Sequence, residues 1–289
     1  MRRLIINADD LGLTRGVNAA IARCHSEGVV TSATLMANSS GFDDAVAMVK
    51  RRPQLGIGCH VVLIDGAPLM PASEVPSLIS SDGRFRNGFL SFARAARSGR
   101  LNAAEIRAEA RAQIAKVQSA GLAVTHVDTH KHTHMFRAVL RGLLEAAREC
   151  GVRAVRNPFP PAKPLAYSHL LRRPHLWTRY TEVKLLASLK AAFKREATRA
   201  GMLTTDGTFG VVSTGALDAQ LFAAIIGCIP EGTWEFVCHP GYNDAELDGV
   251  RTRLRSSRVR EMEVLTSPAA RRHIEQRGIA LISYAELTE

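Results

Sequence analysis

Four histidines stand at alternate positions in the run His126-Val127-Asp128-Thr129-His130-Lys131-His132-Thr133-His134. In extended chain alternate side chains project to one side, so such a row can set several metal ligands or acid-base groups along one wall of a cleft. One ion cannot take all four. Elsewhere Asp9 and Asp10 end the apolar run from Leu4 to Ala8, His60 ends Gly56-Ile57-Gly58-Cys59, and His239 sits between Trp234-Glu235-Phe236-Val237-Cys238 and Pro240-Gly241. One aspartate with two histidines leaves coordination positions open for water and substrate, which a hydrolytic metal site needs. A second carboxylate can then act as general base and a histidine across the site can protonate a leaving amine. The chain offers Asp9 for the first task and His239 for the second. Plainer readings exist for each: a solvated turn for Asp9-Asp10, a hydrogen-bonded core histidine for His60, a turn at His239-Pro240-Gly241. Arg156, after Val152-Arg153-Ala154-Val155, can orient the base, hold a substrate oxygen or sit in a surface ion pair.

These residues cluster just after short β-like runs: Leu4 to Ala8, Thr31 to Met36, Gly56 to Leu63, Ala123 to Asp128, Arg153 to Arg156, Trp234 to His239 and Ala280 to Ser283. Helical patterns intervene over Val17 to Glu27, Ala103 to Ala120, Arg137 to Cys150, Asp218 to Ile226 and Pro268 to Arg277. Asn102 and Ser267 are suited to start helices, and Gly121, Gly151 and Gly278 to stop them. Such alternation predicts an α/β fold with a parallel sheet. In a barrel of parallel strands the C-terminal strand ends open onto one face, where residues distant in sequence converge. At 289 residues the whole chain, 1–289, fits a single barrel domain.

Hydrophobic residues make up 46% and aromatics 6%, so the core should be aliphatic. The five cysteines are odd in number, scattered and without a CxxC pair, which argues against disulfides and a cysteine zinc site and fits a cytoplasmic location. The start leaves no room for the apolar region of a signal peptide, and no apolar run is long enough to span a bilayer. A formal charge of +11 favours an anionic neighbour without choosing one. The arginines from Arg251 to Arg260 lack interleaved aromatics and read as a solvated helix face, so no nucleic-acid partner is expected.

Taken in order, Leu4-Ile5-Ile6-Asn7-Ala8-Asp9-Asp10-Leu11-Gly12, Gly58-Cys59-His60, the histidine row and Cys238-His239-Pro240 resemble the YdjC-like carbohydrate deacetylases. That family includes chitooligosaccharide deacetylase and hopanoid biosynthesis-associated proteins. The resemblance implies a distorted (β/α) TIM-like barrel, parallel strands with outer helices, that removes acetyl groups from N-acetylated amino sugars with one divalent metal ion, Zn2+ or Mg2+. Carried over by position, it implies Asp10, His60 and His130 as metal ligands, Asp9 as general base and His239 as general acid. The roles of Asp9 and Asp10 are exchangeable at this level. His132, His134 and Arg156 are left as substrate contacts. Leu11 stands where the family usually has Phe, and Cys59 before His60 is a further variation.

Gly56 to Gly66, Ser81 to Arg86 and a long basic insertion at about 157–209 resemble the hopanoid branch, which implies a lipid-linked N-acetylglucosamine substrate. Within the insertion, a helix over Val183 to Arg199 would put Leu185, Leu186, Leu189, Ala192 and Phe193 on one face and Lys184, Lys190, Lys194 and Arg195 around the rest. With Trp177 and Tyr180 nearby, the segment 177–199 suits peripheral contact with the inner face of a membrane, or packing on the barrel. A chito-oligosaccharide deacetylase is the alternative within the family. A metal-dependent phosphoesterase is weakened by the lack of an early His-x-His and of a Gly-rich phosphate loop. A silent glycolipid-binding protein is weakened by the complete set of base, acid and ligands. A symmetric homodimer is the default assembly.

Overall fold

The computed structural model describes residues 1–165 and 167–288. Among the described residues seven parallel strands form one sheet: β1 (Arg2–Leu11), β2 (Ser32–Leu35), β3 (Gly56–Val61), β4 (Val127–Thr129), β5 (Gly207–Phe209), β6 (Gly232–Cys238) and β7 (Ile279–Leu281). Their order is β4-β3-β2-β1-β6-β5, with β7 beside the start of β1. The sheet curls. Residues 153–159 bridge its ends, since Arg156 N donates to Val127 O of β4 and Thr208 N of β5 donates to Phe159 O. This is the expected distorted barrel of parallel strands with outer helices, its ring completed by isolated bridges at Val155 and Ala154. The strand read at Arg153 to Arg156 is therefore only a bridging segment, and β4 is shorter than the run Ala123 to Asp128 proposed for it.

Helices α1 (Arg15–Ser26), α2 (Phe42–Lys50), α3 (Phe89–Arg97), α4 (Ala103–Ser119) and α5 (Arg137–Glu149) surround the first half. The helices α6 (Tyr167–Leu171), α7 (Trp177–Leu186) and α8 (Lys190–Arg199) form the insertion, and α9 (Ala219–Ile226), α10 (Ala245–Asp248), α11 (Ser256–Thr266), α12 (Pro268–Gln276) and α13 (Tyr284–Thr288) follow. Asn102 caps α4 by accepting from Ala104 N, and Ser267 caps α12 by accepting from Ala270 N with Pro268 in the first turn. Gly121, Gly151 and Gly278 follow their helices with φ of +82°, +73° and +60°, where glycine carries no Cβ penalty. Helices α2 and α3 were not anticipated.

Strand periodicity sorts the core. On β1, Leu4, Ile6 and Ala8 join the aliphatic layer between sheet and helices, while Ile5 packs inside the barrel with Ala154, Ile282 and Tyr284. Above that small plug the interior is polar, as Asn7, Asp9, Thr34, His60, Asp128, Arg156 and Glu235 are all buried. A barrel normally fills its interior with branched aliphatic side chains. The exchange for charged groups at this end is the first structural sign of a site.

The insertion departs from the single helix proposed over Val183 to Arg199: a 3-10 turn at Ala187–Leu189 joins α7 to α8. Its proposed apolar face is split. Phe193 is 1% exposed against the barrel, whereas Leu185 is 78% exposed. All five cysteines are free. Among the described residues no helix is long and apolar enough to cross a membrane.

Candidate active site

Adjacent residues of a regular strand face opposite sides, so Asp9 and Asp10 should not share a cleft. A β-bulge resolves this. Ala8 and Leu11 of β1 pair with Ala33 and Leu35 of β2, leaving three steps opposite two, and Asp10 takes a left-handed φ of +66°. Asp9 continues the interior face with Asn7, whose Nδ2 donates to Asp9 Oδ1 at 2.9 Å. Asp10 is turned back towards the same end of the barrel.

There Asp10 meets His60 and His130. Asp10 Oδ1 lies 3.3 Å from His130 Nδ1 and 3.6 Å from His60 Nε2, and those two nitrogens are 3.3 Å apart. Three corners of a coordination sphere with ligand bonds of roughly 2.0–2.2 Å are separated by about 3.0–3.5 Å. Asp10 Oδ1 is buried and has no hydrogen-bond partner among the described residues, while its Oδ2 is taken by Arg258. A buried carboxylate oxygen between two imidazoles is a donor set that fits a cation. His60 is oriented from behind by Asp128, whose Oδ1 is 2.7 Å from Nδ1, so that Nε2 faces inwards. Burial pulls the His60 imidazole down, but Asp128, Asp9 and Asp10 outweigh this and lift it to about 9, a measure of the negative charge gathered there. Asp9, His60 and Asp128 form a second cluster of donors, but their lone pairs are largely engaged with Arg156 and with one another.

Asp9 is held by Arg156, with Nη1 to Oδ2 at 2.8 Å and Nη2 to Oδ1 at 2.6 Å. The same guanidinium pairs with Asp128 and Glu235. Glu235 Oε2 in turn accepts from Tyr284 Oη at 2.6 Å. Burial pushes the Asp9 carboxyl up, but Arg156 and His60 outweigh it and hold the group far below its usual range. Burial also pushes Glu235 up, only partly offset by Arg156.

Three expected substrate contacts need correction or restriction. Arg156 is 0% exposed and its donors are spent on carboxylates, so of the readings open to it, orienting Asp9 is the one its position supports. His134 is also 0% exposed: its Nδ1 meets Thr129 Oγ1 at 2.7 Å and its Nε2 meets Arg156 O at 3.1 Å, while burial pulls its pKa down to about 4. A neutral, fully engaged imidazole cannot meet a substrate. Of the three, only His132 is partly exposed. The row itself does not run straight, because β4 ends at Thr129 and Lys131 and His132 adopt φ of +57° and +53° within a 3-10 turn. His126 is directed away, stacked on Tyr284 at 3.5 Å between centroids, in space that a Cβ on Gly58 would fill.

His239 stands opposite, its Nε2 3.9 Å from Asp9 Oδ2. His130 and His239 give the site its contact with solvent, at 22% and 13% side-chain exposure against 3% for both aspartates. Reading the sequence missed Glu235, Tyr284, Arg258 and Glu261 as site-shaping residues and gave Asp128 no role of its own. Glu235 carried a signal, being a carboxylate in the middle of an apolar strand and on the same face as His239 four residues on. Asp128 carried one too, two residues before His130. Arg258 was placed on a solvated face and is 1% exposed.

The family model described as YdjC-like protein matches residues 3–276. The chain belongs to the YdjC-like family. A carbohydrate deacetylase of Brevibacillus brevis is 34% identical over 287 residues, covering 99% of both chains. A chitooligosaccharide deacetylase of Serratia marcescens is 31% identical over 289 residues, covering 98% of both. A crystal structure of a protein from Enterococcus faecalis V583, ascribed provisionally to cellobiose-phosphate cleavage, superposes with a TM-score of 0.79 at 28% identity, covering 99% of this chain and 98% of that one. Membership of the family thus extends over the strand ends that build the site.

Proposed function

We propose that the protein is a metal-dependent carbohydrate N-deacetylase that hydrolyses the N-acetyl group of an N-acetylglucosamine unit. The observation that carries this reading is the orphaned Oδ1 of Asp10 between His60 and His130, with Asp9 and His239 facing each other beside it. Asp10, His60 and His130 would hold one divalent ion, zinc or magnesium, which when bound supplies Lewis acidity to a carbonyl and acidifies water. Asp9, kept ionised by Arg156, accepts the proton of the attacking water. His239, partly exposed at the end of the strand beside Asp9, gives a proton to the amine as the C–N bond breaks. Acetate and a free amino sugar leave. His132 is positioned for a substrate hydroxyl at the rim.

The substrate reading is a lipid-linked amino sugar, with a chito-oligosaccharide as the alternative. Residues 163–199 carry nine Lys and Arg against two Glu. Leu171 is 71%, Leu185 78% and Trp177 37% exposed there. A groove of about 750 Å3 lined by His169, Arg172, Arg173, His175 and Gln220 lies against α9. Basic groups interspersed with exposed apolar ones suit peripheral contact with anionic lipid headgroups.

The test is acetate release from an N-acetylglucosaminyl lipid and from chitobiose, with metal added or chelated, for wild type and Asp9→Asn. Release that needs both metal and Asp9 is expected, and the preferred acceptor decides between lipid and oligosaccharide. Metal binding without release from either substrate would sink the reading. Sedimentation with phosphatidylglycerol vesicles, lost in Leu185→Asp, checks the membrane contact.

A further inference from the structure

Helix α11 carries two buried side chains, Arg258 and Glu261, that reach both halves of the site. Arg258 Nη2 donates to Asp10 Oδ2 at 2.5 Å and its Nη1 to the carbonyl of His239 at 3.5 Å. Its Nε is fixed on Leu254 O at 3.2 Å, and its own carbonyl accepts from Gly241 N at 3.3 Å. Glu261, on the same face of the helix, accepts from His239 N at 2.6 Å through Oε2 and from Gly215 N at 3.3 Å through Oε1. His239 is thus gripped at its N–H and its C=O by residues three apart on one helix. A Cβ on Gly241 would lie 2.9 Å from Arg258 Cδ, so the loop after His239 is fitted to this approach.

We propose that Arg258 is a positioning residue that leaves Asp10 a single free oxygen for the metal and, together with Glu261, fixes the distance between that oxygen and His239. This rests on the reading of Asp10 as a ligand and His239 as the acid. Two features make such a device necessary. Asp10 sits on a bulge at a positive φ, where the ladder that would otherwise fix it is interrupted. The imidazole of His239 has a buried Nδ1 without a hydrogen-bond partner among the described residues, so its placement depends on its main chain. With Oδ2 held by Nη2 of a guanidinium whose other nitrogens are fixed on Leu254 O and His239 O, the Asp10 carboxylate is kept from offering both oxygens to one ion, and Oδ1 stays beside His60 and His130.

The two residues separate the effects. Arg258 touches Asp10 and His239, whereas Glu261 touches His239 and not Asp10. Cobalt(II) titration, followed by its visible absorption, is the probe, alongside kcat and KM for acetate release and a thermal melt of each variant. Arg258→Met is expected to bind cobalt about 10–100-fold more weakly, the range seen when a group behind a metal ligand is lost, with an altered spectrum. Arg258→Lys should recover part of that affinity. Glu261→Gln is expected to keep wild-type cobalt affinity and spectrum and to lose kcat with little change in KM. Folded Arg258→Met with wild-type affinity and spectrum would overturn the proposal; if that variant does not fold, the same result in Arg258→Lys together with an unchanged kcat in Glu261→Gln does so. Failure of the wild type to bind cobalt stoichiometrically would instead remove the metal reading, and this inference with it.

Discussion

Arg156 grips Asp9 through two parallel hydrogen bonds, 2.6 and 2.8 Å long, with neither residue more than 2% exposed. Three carboxylates, Asp9, Asp128 and Glu235, share this one guanidinium. Lysine could supply the charge but not the planar fork. Arg156→Lys is therefore expected to fold and to lose about 100-fold in kcat, the scale of a 1 Å misplacement of a reacting group. Arg156→Met should lose roughly 3–5 kcal/mol of stability, since it strands buried carboxylates. Steady-state kinetics and denaturant melts check both, and an Arg156→Lys enzyme with wild-type kcat would show that charge alone suffices.

Asp128 acts on His60 rather than on a substrate. Asp128→Asn keeps the shape of the contact with His60 Nδ1, 2.7 Å long, but removes the charge that enforces the tautomer. Metal affinity is expected to fall about 10–100-fold, measured by competition with a chromophoric chelator. Unchanged affinity would mean that His60 is oriented by packing.

Tyr284 lies far from the solvent-facing histidines yet donates to Glu235 at 2.6 Å. Tyr284→Phe removes a donor to a buried carboxylate and should cost about 1–2 kcal/mol. Because Arg156 keeps its hold on Asp9, kcat should stay within about twofold. A large fall in kcat with an unchanged melting temperature would contradict this ordering of effects.

Asp218 joins the insertion to the barrel. It caps α9 by accepting from Leu221 N at 2.8 Å and pairs with Arg173. Burial pushes its carboxyl up, but Arg173 and the helix amides outweigh this and lower the pKa below 3.8. A depressed pKa contributes stability above the unfolded value that is lost as pH falls through the folded one. Asn caps as well as Asp, so Asp218→Asn should be slightly less stable than wild type at pH 7 and equal to it once the pH is well below 3.8. Asp218→Ala should lose about 1 kcal/mol more through the missing cap. Melting curves from pH 7 downwards test this, and a gap between wild type and Asp218→Asn that widens in acid would refute it.

Asp10, His60, His130 and His239 could be picked out from the sequence because each lies at or just after the end of a short β-like run, and parallel strands bring such ends together. What could not be read is where the backbone leaves its regular period. The histidine row looked straight, but the left-handed turn at Lys131 and His132 breaks it, and His134 ends buried against Thr129 and Arg156. Arg156 and Arg258 were ambiguous for a different reason. Their aspartate partners lie 147 and 248 residues away, so nothing local distinguished them from surface arginines. The helix α11 looked solvated for the same reason, since a run of arginines hides the one whose partner is remote.

The left-handed turn at Asp10 also settles which side chains the position admits. Outside glycine, a φ of +66° is uncommon and is taken most readily by aspartate and asparagine, whose short side chains can bond to their own backbone. Glutamate would be both strained and one methylene too long for the gap that Arg258 closes. Asp9, in extended chain, carries no such restriction. Two neighbours with the same letter are therefore not equivalent: main-chain handedness labels one of them before any ligand arrives. Moving the bulge by a single residue would exchange the two backbone settings, and with them which aspartate meets His60 and His130.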